Sequence, residues 1–387
     1  MKVLILTVSA GEGHNSMSRA ISNYLKDTYK DVEIKQVDLY KDGDKTRKKK
    51  RANWMVNDGY FTLVKYAIKF ANSNFERLKV RNINKKATTL RGNFIKPAIA
   101  DIEKVVDEFK PDAVFCAHTF AGIIMTDLRK KGNENAKRAR VVTVVSDYDV
   151  APYTELLTEV DFVVTPSDDF DDVLKAKGFD LKKRITLGIP VQTKFSKKID
   201  KIEARKELGI DENKKTIMMM SGGVGFGNIA KLVLNLNKCK TDFQIVCVCG
   251  RNAKLKKNLE ELKAKGKIKK DIYVFGFVNN VDVIMSASDV LIGKIGGVGI
   301  SEAFNKHLPI IANKKLPFQE YDNMVYLKAR NACEYISKNS EAYKVVDNFF
   351  QDEDKLKIMR EQIEVIRRPD ASKDIGDLLY LGKVSVN

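Results

Sequence analysis

The stretch KVLILTVSAGEGHNSMSRAI, residues 2–21, decides the fold. Its opening run, KVLILTV, is apolar and reads as a strand. Met17, Ala20, Ile21, Tyr24 and Leu25 then recur at the spacing of one buried helical face. Between strand and helix stand Gly11, Gly13 and His14. A packing residue at such a turn needs no glycines around it, whereas a backbone that must come close to a ligand does. The helix behind the turn offers unpaired N–H groups and the positive end of its dipole to an oxygen-rich ligand.

The same alternation continues outward. VEIKQVDL, DAVFCAH, RVVTVVS and DFVVTP read as further strands with helical patterns between them, which predicts a parallel sheet. After RITLGIPVQTKF the pattern restarts with TIMMMS, FQIVCVCG, DIYVFGF, VLIGK and LPIIANK. At 387 residues and 44% hydrophobic composition the chain is globular and too long for one ordinary core. Two α/β halves are therefore expected, 1–190 and 191–370, with a helical tail over 371–387.

The five cysteines, Cys116, Cys239, Cys247, Cys249 and Cys333, show no zinc or redox spacing, which fits a reducing compartment. The apolar start is too short for a signal peptide, and no run reaches the length of a transmembrane helix. Of the net charge of +18, much sits in residues 41–100, where 16 Lys and Arg face four acids, a local +12. Trp54, Tyr60, Phe61, Tyr66, Phe70 and Phe75 interleave with those charges. A solvated lysine-rich loop, a nucleic-acid contact and an anionic membrane surface all fit, and the interleaving favours the membrane over nucleic acid.

In open parallel sheets ligands bind beyond the carboxyl ends of the strands. Gly11-Glu12-Gly13-His14 lacks the third glycine of a dinucleotide fingerprint, because Ser16 stands there. Asp38, at the end of the second strand, reads as a strand cap that meets solvent rather than a ribose ligand. SGGVGFGN, 221–228, has no GK[ST] and is not a Walker loop. KIGGVGISEAF, 294–304, combines Gly296, Gly297 and Gly299 with a helix whose first turn is expected to hold Ser301 and Glu302. Glycines that admit a diphosphate beside a glutamate that accepts from ribose hydroxyls make a nucleotide site; the plain alternative is an acid complementing a helix N-terminus. His14 titrates near neutrality and can take a proton from an alcohol. His118, ending DAVFCAH, is a second candidate on the acceptor side, with a buried supporting role as its alternative, and His307 reads as structural.

GEGH, the GIPV-x3-F junction at 188–195, SGG after TIMMM, and the series K-x-GG-x3-SEA, LP and QE-x2-N from Lys294 to Asn323 occur in an order that resembles the monogalactosyldiacylglycerol synthase and processive diacylglycerol glucosyltransferase family. The resemblance implies the GT-B fold, two Rossmann-like parallel-sheet domains facing across a cleft, with a C-terminal helix returning to the first. It implies an inverting transferase that moves a hexose from a UDP-sugar to a lipid such as diacylglycerol or its glycosides, at the inner face of the cell membrane, with no metal or other cofactor. A nucleotide-sugar epimerase, or a transferase to another lipid-linked acceptor, is the alternative on the same fold.

Carried over by motif, Ser221, Gly222, Gly223, Gly296 and Gly297 would hold the diphosphate. Glu302 would hold the ribose, Phe277 and Val278 would lie against the uracil, and Gln319 and Glu320 would read the hexose, with Ser301 and Asn323 also on the donor side. His14 or Asp147 would be the base, with Gly11, Gly13 and His118 on the acceptor side. The chain departs from the family pattern at Ile295, Gly299 and Phe318, and in DYDVAPYTELL beyond Asp147.

Overall fold

A computed structural model describes residues 1–9, 11–44, 46–55, 91–150, 153–220, 229–313 and 318–384. Two compact units emerge, Met1–Thr193 with Pro317–Gln319 and Arg368–Asn387, and Lys194–Leu316 with Glu320–Arg367.

The first unit is built on strands β1 (Lys2–Thr7), β2 (Glu33–Asp38), β3 (Ala113–Cys116), β4 (Arg140–Val144), β5 (Phe162–Thr165) and β6 (Arg184–Thr186). They form one parallel sheet in the order β2-β1-β3-β4-β5-β6. β1 and β3 are buried along nearly their whole length, as expected for strands covered on both faces. The second unit holds β7 (Thr216–Met220), β8 (Gln244–Val248), β9 (Asp271–Phe275), β10 (Val290–Gly293), β11 (Ile310–Ala312) and β12 (Cys333–Tyr335). Its order is β12-β11-β10-β7-β8-β9, again all parallel. Sequence reading found ten of these twelve strands; β6 and β12, three residues each at sheet edges, escaped it.

Strand order reverses once in each sheet, between β1 and β3 in the first and between β7 and β10 in the second. Those are the two switch points at which the loops leaving the carboxyl ends diverge and leave room for a ligand.

The chain's last helix, Ala371–Leu381, packs within the first unit against helix Glu12–Thr28. Tyr24 and Tyr29 both donate to the buried Asp377 carboxylate, at 2.6 and 2.8 Å, and the rings of Tyr29 and Tyr380 stack at 3.7 Å. Gly188, at φ +92°, allows the returning segment to close in, since a Cβ there would lie 2.4 Å from the Cβ of Arg368. The GIPV segment is thus a packing junction, sealed by Ser372 Oγ donating to the Val191 carbonyl at 2.6 Å.

Of the basic stretch, the described part includes helix Arg47–Trp54, capped by Thr46. Arg47, Lys48, Lys50, Arg51 and Trp54 are exposed, Trp54 at 55%. Lys49 is not: it is buried, with Nζ donating to the Asp42 carbonyl and paired with the Asp101 carboxylate. Tyr60, Phe61, Tyr66, Phe70 and Phe75 lie outside the described residues. Among the described residues no helix is long and apolar enough to cross a membrane.

Candidate functional site

At the first switch point, β1 leads into Gly11, whose φ of +89° is open to glycine and strained for other residues. Gly11 caps helix Glu12–Thr28 without a side-chain bond, so the first N–H groups of the helix face the turn. Gly13 and His14 are in the first helical turn. Asp38, expected to meet solvent, is instead buried: it accepts from Ser9 Oγ at 2.5 Å and from the amides of Tyr40 and Lys41 at 3.0 Å. Those bonds spend the carboxylate on the turn after β2.

β3 ends beside β1, and the Ala117 amide continues the ladder by donating to Leu6 O. That register aims the Ala117 carbonyl at His14 Nδ1, 2.7 Å away. A carbonyl only accepts, so Nδ1 carries the hydrogen and the lone pair of the neutral ring sits on Nε2. Burial lowers the His14 pKa below the ordinary histidine value, opposed by the Ala117 hydrogen bond and by the Asp147 carboxylate. The imidazole is therefore neutral at pH 7 and able to accept a proton. Asp147 follows β4, bonded by Ser146 Oγ at 3.2 Å. His118 caps helix Thr119–Lys130 by accepting the Phe120 N–H on its own Nδ1 at 3.0 Å. The two imidazole centroids are 4.7 Å apart at 70°. The structure thus assembles Gly11, Gly13, His14, His118 and Asp147 from the ends of three strands.

At the second switch point the two loops are those after β7 and β10. Ser221, Gly222 and Gly223 lie outside the described residues. After β10, Gly296 caps helix Gly297–Asn305 without any side-chain bond. The glycines at the end of β10 and after it divide in two. Gly293 serves packing, because a Cβ on it would sit 2.5 Å from the Met220 carbonyl of β7. Gly296 and Gly299 serve space, because a Cβ on either would meet nothing within 4 Å. A helix N-terminus with its glycines facing open space suits a phosphate.

Because the helix starts at Gly297, Ser301 and Glu302 occupy its second turn rather than the first. The dipole effect fades beyond the first turn, which weakens the reading of Glu302 as a helix-end acid. Ser301 is buried and Glu302 half-buried. Glu320 is buried, with Oε1 2.5 Å from Lys294 Nζ. Gln319 is half-buried beside it in helix Phe318–Ala329. Asn323 is fully buried and its amide donates to the Ile295 carbonyl at 3.0 Å, a bond that ties it to the loop after β10. Phe277 and Val278 follow β9 at the sheet edge, apart from the β7 and β10 loops. Phe277 is 64% exposed, with the Arg251 guanidinium 5.6 Å from its ring centroid.

Sequence reading left three contributors without a role. Lys294 was visible in its motif but not as the partner of Glu320. Arg251 carried no motif. The Ala117 carbonyl, being backbone, has no residue-type signal.

His307, at φ 54°, bonds the Glu364 carboxylate, as a structural histidine should.

Residues 14–191 match the family model for monogalactosyldiacylglycerol (MGDG) synthase, and residues 216–375 that for the glycosyltransferase family 28 C-terminal domain. A processive diacylglycerol beta-glucosyltransferase of Bacillus cereus is 27% identical over 98% of this chain and 93% of its own length. Among solved structures, the MurG protein of Acinetobacter baumannii superposes with a TM-score of 0.62 at 14% identity, covering 98% of this chain and 100% of its own. Anabaena Alr3699/HepE, solved with UDP, superposes at 0.57 and 14%, with the same coverage. These two likenesses carry the GT-B fold, two Rossmann-like domains. The first half of the chain is thus a monogalactosyldiacylglycerol synthase domain, and the second half a C-terminal domain of glycosyltransferase family 28.

Proposed function

We propose that this protein is an inverting glycosyltransferase that moves a hexose from a UDP-sugar to the hydroxyl of a diacylglycerol-type lipid. The observation that carries the reading is the state of His14: Nδ1–H is committed to the Ala117 carbonyl, so a neutral ring presents a basic Nε2 at the switch point of its sheet. The acceptor hydroxyl gives its proton to that nitrogen as its oxygen bonds to the anomeric carbon. The bond from that carbon to the diphosphate breaks and UDP departs, leaving a β-linked sugar. Asp147, whose charge already favours protonation of His14, stabilises the imidazolium that forms.

On the donor side, the N–H groups at Gly296 and Gly297 take up the negative charge that grows on the diphosphate, a role that needs no metal. Glu302 binds the ribose hydroxyls. Gln319 and Glu320, the latter oriented by Lys294, face the hexose, while Phe277 and Val278 flank the uracil. Asn323 supports this site through Ile295.

Arg47, Lys48, Lys50 and Arg51, with Trp54, are exposed basic and aromatic residues suited to anionic headgroups, which supports a peripheral position on the inner leaflet. Nucleic acid is not among the expected partners.

The test is a donor screen with purified protein, anionic vesicles containing diacylglycerol and several UDP-hexoses, read by UDP release together with the mass of the lipid product. One UDP-hexose should yield a glycosyl-diacylglycerol, and turnover should survive EDTA. Conversion of the UDP-sugar to its epimer without lipid product would replace the transferase reading with the epimerase one. Loss of turnover on chelation, restored by magnesium, would overturn the metal-free mechanism.

A further inference from the structure

We propose that His118 is a second substrate-contacting residue, whose Nε2–H donates a hydrogen bond to the acceptor hydroxyl oxygen while His14 Nε2 receives that hydroxyl's proton. The proposal rests on the transferase reading and deepens it.

The two imidazoles are set as opposite tautomers by different backbone groups. His14 gives its Nδ1 hydrogen to a carbonyl. His118 receives a backbone N–H from Phe120 on Nδ1, so its neutral ring carries the hydrogen on Nε2. One ring therefore offers an acceptor and the other a donor. With centroids 4.7 Å apart and rings edge to face, the two can surround a single oxygen. A hydroxyl has one hydrogen to give and lone pairs with which to receive, so it satisfies both nitrogens at once.

Reversing either tautomer would present two donors or two acceptors. As the proton passes to His14 and the oxygen gains negative character, the bond from His118 strengthens, so it acts most in the transition state.

Burial, with His14 alongside, holds the His118 pKa well below the ordinary histidine range, which keeps the ring in its neutral form at pH 7. Beyond His118 the surroundings turn apolar. Phe120 lies 4.5 Å from its ring and Phe94 lies 5.4 Å beyond, centroid to centroid. A polar pair of imidazoles that runs into phenyl rings matches an alcohol carried on an apolar body.

His118 also caps a helix, so the test must separate capping from donation. His118→Asn keeps a capping oxygen for the Phe120 N–H but removes the donor at the Nε2 position. We expect it to melt within about 2 °C of the parent, to lose about 10- to 100-fold in kcat/KM for the lipid acceptor, and to keep the parental KM for the UDP-sugar. His118→Gln, with an amide N–H that reaches further, should recover part of the loss. Full acceptor kcat/KM in His118→Asn would make His118 a cap alone and overturn the proposal.

Full-length protein labelled with nitrogen-15 at histidine gives an independent reading without substrate, since the chain has three histidines. At pH 7 the long-range spectra should show His14 as the Nδ1–H tautomer and His118 as the Nε2–H tautomer. A hydrogen on His118 Nδ1 would overturn the proposal directly. A parent chain inert toward every lipid acceptor would instead sink the transferase reading and take the acceptor role of His118 with it.

Discussion

His14 donates from Nδ1 to the main-chain carbonyl of Ala117, 2.7 Å away, and so ties the first turn of one helix to the end of the neighbouring strand. A single bond between a side chain and a backbone group thereby does two things. It fixes the ring at the switch point of its sheet, and it decides which nitrogen can accept a proton.

The glycines after β10 make opposite predictions about stability and binding. Gly296→Ala and Gly299→Ala place a methyl where nothing lies within 4 Å, so neither should clash, and only Gly296→Ala, which replaces an N-cap glycine, should lower the melting temperature slightly. Gly299→Ala, inside a helix, should raise it slightly. Both should weaken UDP binding by about tenfold or more, roughly 1.4 kcal/mol, by filling space kept for phosphate. Gly293→Ala meets the Met220 carbonyl at 2.5 Å and should destabilise the fold by about 1–3 kcal/mol. Calorimetry with and without UDP reads all three. Unchanged UDP affinity in the first two would remove this loop from the donor site.

Glu302→Ala should weaken UDP by roughly 1–3 kcal/mol through lost charge-assisted bonds to the ribose hydroxyls. Uridine without phosphates should be affected to the same degree, because the lost contact is to the sugar. Equal affinity for parent and variant in titration calorimetry would exclude the assignment.

The basic helix holds two kinds of lysine. Lys48, Lys50 and Arg51 are exposed, and replacing all three by serine should cost about 3 kcal/mol of binding to anionic vesicles, about 1 kcal/mol per charge, and flatten its salt dependence. Lys49→Met should act differently. Leaving the Asp101 carboxylate without its cation should lower stability by about 3–5 kcal/mol, with little direct change in vesicle binding at temperatures where the fold persists. Cosedimentation of the triple variant equal to that of the parent would return the helix to the reading of a solvated face.

Stability should fall on mild acidification. The pKa values of His14 and His118 are both lowered in the folded protein, so below pH 6.5 the unfolded chain binds protons that the folded chain resists. The slope is about 1.4 kcal/mol per pH unit per proton taken up by the unfolded chain alone. Stability is therefore full above that pH and declines below it, until the folded rings titrate in turn. The His118→Asn variant should flatten the decline. A parent whose unfolding free energy is level from pH 7 to 5.5 would contradict the buried neutral pair.

Much of this was legible in the chain itself. Ten strands announced themselves as apolar runs, and the turns after β1 and β10 through glycines that interrupt them. β6 and β12 did not, because three-residue edge strands carry no period to detect. The helix start at Gly297 was read late because glycine is a poor helix former, which misplaced Ser301 and Glu302 by a turn. Lys49 read as one more membrane-facing charge of the basic run, since its partner Asp101 is 52 residues away. Asn323 was legible as part of a motif, but its bond to the Ile295 carbonyl was not, because a backbone acceptor has no residue-type signature. The relation of His14 to His118 was invisible for a similar reason: it is made by the adjacency of β1 and β3 and by two backbone groups with no residue-type signature.

Whether His14 is the base is read from kcat against pH in the parent, His14→Ala and Asp147→Asn. The parent should show an acid limb with a midpoint below the ordinary histidine value of 6.5, as its lowered pKa requires. His14→Ala should lose the limb and about 10²- to 10⁴-fold in kcat, with UDP affinity nearly unchanged. Asp147→Asn should keep the limb but move it to lower pH, because the carboxylate that raises the His14 pKa is gone. A limb that persists in His14→Ala and vanishes in Asp147→Asn would contradict the account and make Asp147 the base.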